Sequence, residues 1–155
     1  MQSFDSDGFT LGTSAAINGS SATVVGWCWR ANGGTTASNS DGNVTSTVQA
    51  NTKAGFSIVT YTGTGSAGAT VGHGLGRTPR VIFFRNHNSE GHDWNVYYNT
   101  PNGYGAGVRH LKLNQNSASA YATNKYNSTP ATSSVITVHT AADNNQSGQT
   151  ITAYC

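Results

Sequence analysis

The sequence predicts an all-β protein: an antiparallel β-sandwich, jelly-roll-like, of eight to ten strands with minimal helix. Gly (19), Thr (21), Ser (17) and Asn (16) make up nearly half of the 155 residues, while charged residues make up 9%. Small polar residues set among Val, Ile, Tyr, Phe and Trp suit short strands and tight turns, because β-branched and aromatic side chains fit a pleated, half-buried surface. Apolar residues come in short runs punctuated by Gly, Asn, Ser and Asp. Nowhere do they recur at helical spacing through three turns.

The strands follow from that punctuation in chain order. "GFTLG" at 8–12 and "ATVVGWCWR" at 22–30 flank a polar turn. "NVTSTVQ" at 43–49 and "GFSIVTYT" at 55–62 follow, the latter alternating partly as in a sheet with one buried face. "RVIFFR" at 80–85 holds a continuous apolar run, the pattern of a central strand covered on both faces. "DWNVYY" at 93–98 alternates, placing Trp94, Val96 and Tyr98 on one face and Asn95 and Tyr97 on the other, so at least one tyrosine faces outward. "VRHLKL" at 108–113, "SVITVH" at 134–139 and "QTITAYC" at 149–155 complete the set.

The chain has the size of one compact domain. Its formal charge of +2 comes from eight basic and six acidic residues. The basic residues are scattered, which is no footprint for nucleic acid. No run approaches the roughly 18 apolar residues a membrane helix requires, so membrane insertion is not expected. Cys28 and Cys155 are too few for a disulfide scaffold, and both are expected unbridged and buried as small hydrophobes.

Residues 8–28, "GFTLGTSAAINGSSATVVGWC", align without a gap on residues 135–155, "VITVHTAADNNQSGQTITAYC", with seven of 21 positions identical. The apolar pairs Phe9/Ile136, Leu11/Val138, Val24/Ile151 and Trp27/Tyr154 fall in register. On this reading residues 1–28 are the closing hairpin of a preceding unit and 29–155 one full unit, so the chain is expected to be an excerpt of a tandem array. The two hairpins are then expected to share a structure.

"TVGHGLGRTP" at 70–79 raises the prospect of a nucleotide cradle, but no helix follows its glycines, and a phosphate loop needs strand, turn and helix together. Gly72, His73, Gly74, Gly76 and Pro79 read instead as a structural turn between two strands, with His73 bonding neighbouring backbone groups or, as the alternative, touching a ligand. "DSDG" at 5–8 and "SDG" at 40–42 lack the full calcium-loop pattern and read as Asp-Gly turns.

The densest polar cluster is "RNHNSEGHDW". Arg85, His87, Glu90, His92 and Asp93 match no closed zinc spacing, so no metal or cofactor is expected. A solvated loop is one reading. The other is sugar contact, in which Trp94 or Tyr97 stacks on a pyranose while Arg85, His87, His92 and Asp93 bind its hydroxyls. Six acidic residues with no facing carboxylate pair, and no nucleophile elbow, argue against an enzyme, and no catalytic residue is assigned.

"SFDSDGFTLGTS", "VVGWCWRANGGT", "SNSDGNVTSTVQANTKAGFSIVTYTGTGS", "VGHGLGRTPRVIFFR" and "LKLNQNSASAYATNKYNSTPATSSVITV" together resemble, across nearly the whole chain, the repeat domain of bacteriophage virion and tail-fibre-like proteins, especially those of marine phages. The resemblance implies a virion adhesin or structural module without catalytic residues. Its implied partners are host cell-surface polysaccharide or another receptor and other virion subunits, arranged head to tail or as homo-oligomers. The implied place is the phage particle, after assembly in the host cytoplasm. The paired histidines of "FFRNHNSEGHDWNVYY" depart from the plainer charged loop expected there.

Overall fold

A computed structural model describes residues 2–87, 91–100, 107–121 and 123–155. Glu90 of the sequence-predicted cluster lies outside them. A small hairpin of β1 (Ser3–Phe4) and β2 (Phe9–Thr10) opens the chain, followed by a single helical turn, α1 (Ala15–Asn18). Then come β3 (Ala37–Asn39), β4 (Ser46–Asn51), β5 (Phe56–Thr62), β6 (Ala69–Gly72), β7 (Val81–Asn86), β8 (Asn95–Thr100), β9 (Gly107–Lys112) and β10 (Ala120–Tyr121). The remaining elements are α2 (Thr123–Tyr126), β11 (Val135–Val138), α3 (Ala142–Asn145) and β12 (Thr150–Tyr154).

One eight-stranded antiparallel sheet, in the order β10-β9-β8-β7-β12-β5-β4-β3, forms the larger layer. The ribbon β11-β6 forms the smaller layer, extended by a bridge between Val44 and Val71. The fold is an all-β sandwich, and its described helices are single turns of four residues. Side chains of both layers meet in one core: Val59, Ile82, Phe84, Tyr97, Ile151 and Ala153 from the sheet face Val71, Ile136 and Val138 from the ribbon. Alternation within each strand decides which residues enter that core.

Among the described residues, the sheet's two meanders, β3-β4-β5 and β7-β8-β9-β10, are joined in the ladder by the last strand. β12 pairs with β5 through Thr150↔Thr62 to Tyr154↔Ile58 and with β7 through Ile151↔Asn86 to Tyr154↔Phe83. Its ladder is extended at Cys155, which exchanges both backbone hydrogen bonds with Ser57 at 2.9 Å. The last strand of the chain thus fills the middle of the sheet.

Several expectations need correction. Residues 22–30 form no strand and are exposed throughout. A strand needs a ladder partner, and the central position that matches this sequence is already filled by β12. Cys28 is consequently exposed, whereas Cys155 is buried, and both thiols are free. The "VIFF" strand is covered on one face only: Ile82 and Phe84 are fully buried, but Val81 is 46% exposed on the other side. The described residues form twelve strands rather than the eight to ten expected, because the two- and three-residue strands β1, β3 and β10 lack enough apolar residues to stand out in the sequence.

Candidate functional site

The turn after β6 is built around His73, which is fully buried. Its Nδ1 accepts the Leu75 N–H at 3.2 Å, which leaves Nε2 to donate to the Thr132 carbonyl at 3.3 Å. Burial holds its pKa below the ordinary histidine value, so the ring is neutral near pH 7. Gly74 and Gly76 take positive φ of 69° and 67°, and a Cβ on Gly72 would lie 1.6 Å from the Asn39 Oδ1. Pro79 is buried where β7 approaches. All five turn residues therefore hold the chain between its two layers.

Of the sequence-predicted contact residues, Arg85, His87 and Trp94 gather on the outer face of the large sheet, away from the ribbon. The Arg85 guanidinium lies 5.8 Å from the Trp94 ring centre and donates to the His92 carbonyl. Trp94 stacks on Tyr154 with ring centres 6.1 Å apart. His87 Nε2 is 2.9 Å from the Thr152 hydroxyl, which is 3.5 Å from that of Thr60. Sheet register continues this surface: Ile58, Tyr154, Phe83, Val96 and Leu111 form one outward row across five strands. Within this row Ile58, Phe83, Leu111 and Tyr154 are half-buried and Val96 is 4% exposed, while Thr152 is covered beside His87, so the accessible part of the face lies around Trp94, Arg85 and His87.

The other three residues go elsewhere. Tyr97 is 0% exposed, and its hydroxyl accepts the Ala131 N–H at 2.8 Å. It packs edge-on against Tyr126 in the core, so it cannot stack on a sugar, and Tyr98 is the outward tyrosine of the pair. Asp93 is tied to Lys112 at 2.8 Å, with Asn114 and Gln115 donating to the same carboxylate. The hydrogen bond from Lys112 holds its pKa below the usual carboxylate range. His92 turns towards Asp143, with Nδ1 3.4 Å from Oδ1.

Asp143 centres a polar network that the sequence did not signal. Lys125 pairs with it, and Asn95 donates to it at 3.2 Å. Tyr126 in turn donates to Asn95 at 2.6 Å, and Asn144 donates to the Lys125 carbonyl. Burial alone would raise the Asp143 pKa, but Lys125, Asn95 and His92 together hold it low. Lys125 is 8% exposed, so the pair is structural in character: each ion is the reason the other is tolerated inside. Nothing local marks residues 18 positions apart as partners.

Among the described residues no group of three or more His, Cys, Asp or Glu is arranged to hold a metal ion. Two shallow concavities, one lined by Asn43, Val44, Thr64, Ser66, Ala67 and Ala69 and the other by Thr78, Pro79, Arg80 and Asn99, contain no aromatic side chain. No helix of the described residues is long and apolar enough to cross a membrane.

Fold and site together define an all-β sandwich module with a partly exposed aromatic cluster on the outer sheet face. Residues 1–155 match the family described as "Domain of unknown function (DUF7483)", and the chain belongs to that family. No curated protein matches it. No solved structure matches it either.

Proposed function

We propose that this chain is an adhesive module of a bacteriophage virion, of the tail-fibre kind, that touches host surface polysaccharide weakly and gains avidity from copy number. The observation that carries the binding reading is the outer face around Trp94, where the indole, Tyr154, Arg85 and His87 stand together at the adjoining ends of β7, β8 and β12. An aromatic plane covers the apolar face of a sugar ring, and adjacent donors and acceptors bind its hydroxyls. The virion context is supported by the sequence resemblance. A binding role is favoured over catalysis because Asp93 and Asp143 are each committed to a lysine, leaving neither poised for proton transfer.

The test is a glycan array probed with multimerised protein. Specific binding that disappears in folded Trp94→Ala and Arg85→Ala, but survives in Tyr97→Phe, supports the reading. A blank array across host surface polysaccharides favours the second reading, a passive structural or decoration module that meets other virion subunits. That reading is supported by the apolar segment 22–29, where Val24, Val25, Trp27 and Trp29 are 54%, 79%, 70% and 60% exposed.

A further inference from the structure

The segments 14–22 and 141–149 share their backbone geometry position by position, at a constant separation of 127 residues. α1 spans Ala15–Asn18 and α3 spans Ala142–Asn145. The residues before them, Ser14 (φ −63°, ψ 121°) and Ala141 (φ −67°, ψ 132°), have matching dihedral angles, as do Gly19 (−66°, 143°) and Gln146 (−61°, 129°) after them. Asn18 N–H donates to the Ser14 carbonyl at 2.9 Å, as Asn145 does to that of Ala141 at 2.8 Å. Ala22 N–H donates to Gly19 at 3.1 Å, as Gln149 does to Gln146 at 3.2 Å. The Asn18 side chain donates to the Gly12 carbonyl, and that of Asn145 to the His139 carbonyl. Ser21 takes a φ of 62°, rare for a residue with a side chain, where Gly148 has 73°.

What differs is the company the two copies keep. Asn145 is fully buried, accepting the Thr64 N–H at 2.8 Å and donating to the Ser66 carbonyl. Asn18 is exposed, with no such loop against it among the described residues. Beyond Asn145 the chain runs through β12 to Cys155, and Ile151, Ala153 and Cys155 are 0%, 0% and 8% exposed. The counterparts Val24, Gly26 and Cys28 have the size and alternation for the same inward positions, yet all of residues 21–30 are exposed. Residues 23–29 are mostly apolar and, among the described residues, make no backbone hydrogen bond, so their backbone groups are free to add to a sheet edge.

We propose that residues 8–28 are a second closing segment, and that their partner is another unit of this same fold whose slot between the β5 and β7 positions they fill. Docked there, Val24, Gly26 and Cys28 would enter that unit's core, and Trp27 would take the place of Tyr154 on its outer face. The partner differs from this unit at one point. Ala16 and Ile17 stand where Asp143 and Asn144 stand here, so the partner carries no buried lysine at the place of Lys125, since that ion would be left unpaired. Strand addition of this kind takes its affinity from main-chain hydrogen bonds and its specificity from alternate side-chain pockets.

Two proteins test it. The first is the full chain with residues 149–155 carrying the sequence of 22–28, which changes Gln149→Ala, Ile151→Val, Thr152→Val, Ala153→Gly and Tyr154→Trp. The expected product folds, with a melting midpoint within about 10 °C of the parent, while the same seven residues in scrambled order do not. Failure of the unscrambled graft to fold overturns the proposal. The second joins residues 1–148 directly to residues 22–155, so that one copy of 22–28 lies between two units. Of its three thiols one is expected to react rapidly with a thiol reagent and two to be protected. Two rapidly reacting thiols would mean that the joining segment does not dock, and would equally overturn the proposal.

Discussion

The thiol of Cys155 lies in the core, and burial pushes its pKa up to about 12, whereas Cys28 sits in the exposed segment. The thiolate is the reactive form. In the native chain one thiol is therefore expected to react rapidly with Ellman's reagent and the second only on unfolding, and two equally fast thiols would contradict the burial. Tyr97 makes a second residue-scale case. Removing its hydroxyl in Tyr97→Phe leaves the Ala131 N–H without its acceptor inside the core, which costs about 1–3 kcal/mol. Chemical denaturation should show that loss with the fold intact. Tyr97 and Tyr98 are indistinguishable as residues. Strand parity tells the sequence that they face opposite ways, and only the position of the ribbon says which of the two is inside.

Among the elements, β12 carries the greatest consequence, because it pairs with both β5 and β7 and so joins the two meanders of the sheet. Ile151 is fully buried between Tyr61 and Asn86, so Ile151→Ala is expected to cost about 2–5 kcal/mol from lost burial and a residual cavity. Val24→Ala, the same change at the exposed counterpart, should stay within about 0.5 kcal/mol. Equal losses in the two variants would mean that residues 22–28 are packed in the isolated chain. The close approach of β5's end to α3 gives a further measure. A Cβ on Gly63 would lie 2.2 Å from the Gln146 backbone oxygen, and backbone on both sides leaves little to yield, so Gly63→Ala should cost about 1–3 kcal/mol in overpacking. Thermal unfolding of the three variants checks these magnitudes.

For the molecule as a whole, buried ionisable groups set the pH dependence of stability. His73 is held neutral by burial below its ordinary value of 6.5, and His110 is lowered by burial and by Lys125. The unfolded chain therefore binds more protons than the folded one as pH falls through 6.5, and stability declines from there towards the lower folded values. Asp143, held below its ordinary 3.8, contributes stability that is present above that value and is lost as pH falls through its folded pKa. Melting midpoints measured from pH 8 to 3 should thus fall in two windows, one below about 6.5 and one below about 3.8. His73→Asn, which keeps an acceptor for the Leu75 N–H, should flatten the upper window, and an unchanged slope there would show that His73 is not its source.

Composition, turn punctuation and period-2 alternation determined the all-β class, the inward and outward parity of "DWNVYY" and the structural role open to the glycine turn, because these depend on a few neighbouring residues. The alignment of 8–28 on 135–155 was likewise visible in one line of sequence. Only the tertiary structure decided which of the two copies is a strand, since a ladder exists only where a partner edge stands beside it, and the edges of β5 and β7 are offered once. The same reason removes Tyr97 from the contact residues and adds Tyr154 beside Trp94, and it brings Lys125 to Asp143. Each depends on which face of a strand is covered and on which distant strands are neighbours. Those are properties of the strand order β10-β9-β8-β7-β12-β5-β4-β3, in which the last strand of the chain takes the middle of the sheet.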